Sequence, residues 1–425
     1  MKLDNQPSSE MIDLVKHIPL YQDAIQKKYF PILEKAEIAR DFPENWMTPQ
    51  LENALSTGKA EYILSTGTNH ARMHLIRPPY FLLHSYYQLW SEHPDIAFTW
   101  QQNCQRVSIT TVMATEHVIR VNARQSSTRV NPDAHPALEP RRLDARTLYL
   151  NQQADPALWS KSEVECMLSE IALIRQTHPQ GWYHLDCSSY YLAHLLRKIS
   201  RFGLQHEFHP PASIIHAYEY TPRNVRRFLL QRFDCPVVDL VGSTELGYIY
   251  YSDCQGNYSP YLGQMQAELL PVSGNRSIYS LIVSSVRNPY MPLIRYRSGD
   301  CVQTTDGSAN PEKIARFCGR EKELLSLDSG LFAHGNFDDW ISEASAEIFL
   351  YQLHLLDAPQ AQLRYTTFDE QPIPADAAAA LQHRIAQTTG LDCTLEHCSH
   401  IPIGRSGKYV WLTRAGQNRE KEAHV

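Results

Sequence analysis

Residues 221–245, TPRNVRRFLLQRFDCPVVDLVGSTE, decide the fold. Thr221 suits an N-cap, Pro222 suits the first helical position, and Val225, Phe228, Leu229 and Phe233 recur on one helical face. The run Pro236–Val241 is continuously apolar except for Asp239 and reads as a buried strand. It ends in the polar turn Gly242-Ser243-Thr244-Glu245. A helix feeding a buried strand that ends in such a turn predicts an α/β protein with its ligand site at the carboxyl ends of strands. A carboxylate on that turn suits Mg²⁺, which takes one or two carboxylates together with phosphate oxygens; a capping role for Glu245 is the structural alternative.

Outward from this unit, the chain of 425 residues is long enough for two or three domains at roughly 150 residues each. Hydrophobic residues make up 43% and charged residues 20%, which is the balance of a packed protein and not of a disordered one. Forty Lys and Arg against 46 Asp and Glu give a net charge of -6, which argues against a nucleic-acid binder held by phosphate contacts. No apolar run reaches the ~20 residues needed to span a bilayer, and the first residues, MKLDNQPSSEMIDL, lack the pattern of a signal peptide. The nine cysteines are scattered singles without CxxC spacing, so the expectation is a cytoplasmic protein with reduced thiols, no membrane and no zinc site. Beyond Lys322 the pattern changes. A helix over 336–348, another over 375–389 stopped by Gly390, and an alternating strand over 391–398 predict a small α+β domain. The expected division is 1–322 and 323–425.

Three more local motifs bear on chemistry. The strand Tyr62-Ile63-Leu64 runs into Ser65-Thr66-Gly67-Thr68-Asn69, a hydroxyl- and glycine-rich turn able to offer donors to a phosphate chain. It is not a P-loop. Residues 291–300, MPLIRYRSGD, place Asp300 after a glycine turn, where a carboxylate can accept both hydroxyls of a ribose or simply stabilise its own turn. CGREKE over 318–323 is followed far downstream by IGRSGK over 403–408, a lysine on a flexible glycine loop. Each motif alone has a plain structural reading.

In this order, the motifs resemble those of the adenylate-forming enzymes, in particular the phenylacetate–CoA ligase and coenzyme F390 synthetase branch. That branch carries a T-S-G-T-T-G-x-P-K-like phosphate loop, a Y-G-x-T-E loop, an R-Y-R-T-G-D segment, a G-R-x-D/K-D hinge and a late G-K lysine. The resemblance runs over nearly the whole chain: YFPILEK at 29–35, SSYYL at 188–192, AYE at 217–219 and YQL at 351–353 also have counterparts. It implies a large N-terminal adenylation domain and a small mobile C-terminal lid. It further implies an ATP-dependent ligase that makes an acyl-AMP and then passes the acyl group to CoA or to the phosphopantetheine thiol of a carrier protein. Ser65, Thr66, Gly67, Thr68, Glu219, Gly242, Ser243, Thr244, Asp300 and Arg320 would bind ATP or AMP. Glu245 would hold Mg²⁺, Lys322 would be the hinge, and Lys408 would reach the carboxylate and α-phosphate during adenylation. Trp182, Tyr183, Tyr190 and Tyr218 would border the pocket for a small carboxylic acid, aromatic or otherwise flat; each could equally be a core ring. The assembly is left between monomer and homodimer.

Two positions depart from the family pattern. His70 stands at the second glycine of the phosphate loop, with Arg72 as the nearest cation, and Val241 stands where an aromatic stacks on adenine. They keep open a non-catalytic nucleotide-binding protein. Cys393 and Cys398 keep open transfer through an internal cysteine.

Overall fold

The computed structural model describes residues 6–64, 73–110, 141–150, 153–261, 263–404 and 407–415. Two compact units share the chain discontinuously: Met1–Ala97 with Val238–Lys322, and Phe98–Val237 with Glu323–Val425. Among the described residues no helix is long and apolar enough to cross a membrane.

The first unit is built on an antiparallel sheet of four strands in chain order, Met265–Val272, Asn275–Ser285, Leu293–Thr304 and Ile314–Arg320. Its core gathers Trp46, Ile76, Leu281, Ile294 and Tyr296 with the N-terminal helix Ser9–Val15, through Met11 and Val15. Ser8 caps that helix by accepting from the Met11 amide. Arg295 is buried at positive φ (50°) and forks onto both oxygens of Glu268 at 2.9 and 3.0 Å, so within RYRSGD this first arginine holds the sheet. The strand Val237–Ser243 turns back antiparallel onto Gly247–Ser252, so GSTE is the tip of a hairpin.

The second unit contains a parallel sheet in the order Thr147–Tyr149, Arg106–Ile109, His184–Cys187, Ser213–His216. Two of its strands, Arg106–Ile109 and His184–Cys187, alternate polar and apolar residues. Val107, Ile109, Leu148, Leu185, Cys187 and Ile214 join one core with the helices Lys161–Gln176 and Ser189–Phe202. Arg106, Ser108, Thr147, His184, Asp186 and Ser213 are polar, yet all are buried too. A second, mixed sheet, ordered Asp392–His397, Gln360–Thr367, Ile348–Leu355, Leu412–Arg414, carries the helices His334–Ala344 and Ala375–Thr389. Gly390 ends the latter in the left-handed conformation (φ 76°), as the sequence predicts.

The C-terminal layer is fastened within this unit. Phe349, Leu350 and Ile401 lie in the same apolar core as the helix Ser189–Phe202, and burial of each such side chain is worth about 1.5–3 kcal/mol. The cap of helix Arg223–Leu230 also comes from this layer. Both oxygens of buried Asp338 accept from the Arg223 amide at 3.0 and 3.3 Å, whereas the hydroxyl of Thr221, the cap expected from sequence, bonds Ser189 at 3.1 Å. A carboxylate at a helix N-terminus satisfies an orphan N–H and meets the positive end of the dipole.

Candidate functional site

In the first unit the sequence-predicted residues fall on two neighbouring structures. The hairpin tip is closed by the Leu246 amide donating to Ser243 Oγ at 3.3 Å, which leaves Thr244 half-buried and brings Glu245 to 8% exposure. The Tyr296 hydroxyl donates to Glu245 Oε1 at 2.9 Å, so the carboxylate is held by the middle residue of RYR. Two glycines make the tip. Gly247 adopts φ 74°, and a Cβ on Gly242 would stand 2.3 Å from the Gly247 carbonyl and 2.8 Å from Tyr248 Cα. Gly242→Ala is therefore expected to cost about 1–3 kcal/mol by overpacking, read as a lower urea midpoint for this unit. A wild-type midpoint would show that the hairpin gives way freely.

Asp300 and Arg320 are register partners on adjacent strands, and Arg320 Nη1 lies 2.6 Å from Asp300 Oδ1. This pair offers one carboxylate and one partly exposed guanidinium side by side, a donor and acceptor set suited to vicinal hydroxyls. Lys322 is the last residue of the unit and lies in the short 3₁₀ turn Glu321–Glu323. The phosphate-loop residues Ser65, Thr66, Gly67 and Thr68, with His70 and Arg72, lie outside the described residues. The strand leading to them, Glu61–Leu64, pairs antiparallel with His74–Arg77.

In the second unit Glu219 and Lys408 come together. Ser188, the N-cap residue of helix Ser189–Phe202, donates its hydroxyl to Glu219 Oε1 at 2.5 Å instead of capping the helix. The Tyr409 amide donates to Glu219 Oε2 at 3.2 Å. Burial pushes the Glu219 carboxyl from 4.5 up to about 7, opposed by the Ser188 hydroxyl, the Lys408 charge and the Tyr409 N–H. A carboxyl poised near neutrality beside an ammonium is the kind of group that concentrates at functional sites.

The preceding residue is strained. Tyr218 has φ 83°, a region disfavoured for any bulky side chain, and its hydroxyl donates to Asp186 Oδ2 at 2.7 Å. Asp186 also accepts from Arg106 at 2.5 Å and Ser108 at 2.7 Å, which makes it the anchor of the polar sheet face. The remaining ring candidates differ in setting. Trp182 is half-buried and stacks on His178 at 6.1 Å. Tyr183 is fully enclosed, with its hydroxyl on the His209 carbonyl. Tyr190 packs against Tyr409 at 4.9 Å and Phe349 at 6.3 Å.

Sequence reasoning missed Arg106, Asp186, Asp338 and Tyr409. The strands RVSI (106–109) and HLDC (184–187) carry the signal for the first two, since both alternate polar and apolar residues. Asp338 and Tyr409 act on partners more than a hundred residues away, and no local pattern marks them.

No family model matches the sequence, and no curated protein matches it. Solved structures do. A 2-hydroxyisobutyryl-CoA ligase in the postadenylation state, in complex with 2-HIB-AMP, superposes with a TM-score of 0.65 at 10% identity, covering 97% of this chain and 88% of that one. An anthranilate CoA ligase in complex with anthranoyl-AMP gives 0.53 at 10% identity over 83% and 65% of the two chains. The amide bond synthetase McbA from Marinactinospora thermotolerans gives 0.52 at 10% identity over 82% and 67%. At such identities the likeness establishes the fold.

Proposed function

We propose that this chain, which has the fold of the adenylate-forming ligases, activates a small carboxylic acid with ATP to an acyl-AMP and pyrophosphate, then hands the acyl group to a thiol with release of AMP. The observation that carries the reading is Lys408. On this fold, a chain with a lysine at the exit of a glycine turn places it beside a buried carboxylate poised near neutral pH. Lys408 would donate to the acid's carboxylate and the α-phosphate as charge moves between them, where a positioned cation is the expected electrostatic catalyst. Asp300 and Arg320 would take the ribose. Gly242, Ser243 and Thr244 would line the nucleotide side of the hairpin tip, and Ser65, Thr66, Gly67 and Thr68 the phosphates. Lys322 would be the articulation, at the last residue of the first unit. We further propose an aromatic or flat acid, with Tyr190 and Tyr218 at its pocket, and CoA or a carrier-protein phosphopantetheine as acceptor.

Glu245 fits a Mg²⁺ role by its chemistry. It is a carboxylate on a tight turn, held by one hydroxyl, and among the described residues no group of three acidic, His or Cys side chains offers an all-protein cage. When bound there, Mg²⁺ would neutralise phosphate charge. Glu245→Gln is expected to raise the half-saturating Mg²⁺ concentration for pyrophosphate release by about tenfold, the loss of one charge-assisted contact. Unchanged magnesium dependence would remove Glu245 from the metal.

Transfer through an internal cysteine is the weaker reading. Burial raises the Cys393 thiol to about 11, away from the thiolate that such transfer needs. Acid-dependent ATP–pyrophosphate exchange over a panel of aromatic and aliphatic acids tests the main proposal. Exchange with none of them, with the protein folded, would leave the non-catalytic alternative.

A further inference from the structure

We propose that Glu219 is the counter-ion that positions Lys408, and that Tyr409 is the fixed point of the loop that brings the two together. The proposal deepens the reading of Lys408 as the adenylation lysine and rests on it for its catalytic consequence.

The described residues on either side of 405–406 are tied to one another. The Gly404 amide donates to the Lys408 carbonyl at 2.8 Å, and the Gly407 amide donates to the Gly404 carbonyl at 2.9 Å, with Gly407 at φ 73°. Both residues flanking Lys408 are tied to the helix Ser189–Phe202. On one side the Tyr191 hydroxyl donates to the Gly407 carbonyl at 3.0 Å. On the other, the Tyr409 hydroxyl lies 2.9 Å from His194 Nε2, and its ring packs 4.9 Å from that of Tyr190. Burial, reinforced by Arg197, Lys198 and His400, pushes His194 well below the ordinary imidazole range. A neutral ring pairs with the Tyr409 hydroxyl and adds no cation to compete with Lys408.

Glu219 is held from its own side with equal care. Each carboxylate oxygen takes one neutral donor, the Ser188 hydroxyl and the Tyr409 amide, and the Lys408 charge favours the ionised form. The strained backbone at Tyr218, tethered through its hydroxyl to Asp186, sets the direction in which Glu219 leaves the sheet. One peptide unit therefore links the parts: Tyr409 donates to Glu219 through the amide that joins it to Lys408. Lys408 is thus pre-placed as an ammonium on an internal carboxylate. Binding of an anionic acid or of the α-phosphate exchanges one anion for another around it, which spares the cost of ordering a long flexible side chain at the moment of reaction.

The test needs no substrate. Folded protein is pulsed with acetic anhydride at pH 8, and acetylation of Lys408 is measured by peptide mass spectrometry against the exposed Lys59. Acetic anhydride reacts with the neutral amine. Loss of the counter-ion in Glu219→Gln should make the Lys408 ammonium more acidic and raise its acetylation by about tenfold, the gain in neutral amine when a lysine titrates one pH unit lower. Glu219→Asp keeps the charge and should stay close to wild type. Tyr409→Phe keeps the ring and the amide but loses the His194 bond, and should rise less than Glu219→Gln. Unchanged Lys408 acetylation in a folded Glu219→Gln protein overturns the pairing; equal rises in the Gln and Asp variants overturn it as well, since packing and not charge would then be responsible. Should wild type show no ATP–pyrophosphate exchange while the labelling pattern holds, the adenylation reading falls and the pairing stands.

Discussion

Lys408→Ala should lower acid-dependent ATP–pyrophosphate exchange by about 10²–10³-fold, the loss that follows removal of one donor aimed at developing charge. The expectation depends on the loop surviving the change, and its fastenings argue that it does. They run through the Gly407 carbonyl and the Tyr409 amide, ring and hydroxyl, none of which belongs to the Lys408 side chain. The backbone should therefore stay in place while the ammonium disappears, so the loss should appear in kcat more than in KM. Glu219 would be left buried without the Lys408 charge that favours its ionised form, which moves its carboxyl further up. A chemically made acyl-AMP supplied to the variant separates the steps. Thioester formation should be nearly untouched, because pyrophosphate has already left and the charge that Lys408 neutralises is no longer forming. Normal exchange, or equal losses in both steps, would return Lys408 to an ordinary surface role.

The α/β class was legible because its signals are local. The helix and strand of 221–241 and the glycine stop at 390 are each written in a handful of adjacent residues, and the structure has Arg223–Leu230, Val237–Ser243 and Ala375–Thr389. Strand direction was not legible. The same buried run at 237–243 could lead into a parallel crossover or a hairpin; the structure has the antiparallel return, with Gly242 packed closely against Gly247. Helix ends failed for a related reason. Thr221 and Pro222 form a good capping pair by sequence, but a buried Asp338 outcompetes a hydroxyl because it brings charge to the helix dipole. At the candidate site, motif positions Glu219, Glu245 and Lys408 could be named in advance, whereas what holds them could not. Tyr296 reaches Glu245 and Tyr409 reaches Glu219 across separations of 51 and 190 residues, and a single sequence gives no sign of contacts that distant.

The anchor beneath Glu219 gives the second large effect. Asp186→Ala should destabilise the second unit by about 3–5 kcal/mol, the range for removing one partner of a buried ion pair. Asp186 is fully buried and Arg106 is 3% exposed, so the guanidinium that loses its carboxylate cannot turn to solvent without disrupting the sheet. Ser108 and Tyr218 lose an acceptor in the same change. Hydrogen exchange of the strands 106–109 and 184–187 is the measurement, because protection there reports this unit and not the other. Stability and positioning can then be pulled apart. A double variant, Arg106→Met with Asp186→Leu, removes both charges and keeps much of the volume, and such replacements are often neutral or stabilising. Exchange protection should therefore recover. Adenylation should not recover, because the Tyr218 hydroxyl still lacks the carboxylate that holds its strained backbone, and Glu219 leaves the sheet from that backbone. Recovery of both would mean that the polar face of the sheet serves packing alone; recovery of protection without activity ties the buried Arg106–Asp186 pair to the placement of Glu219, and through it to Lys408.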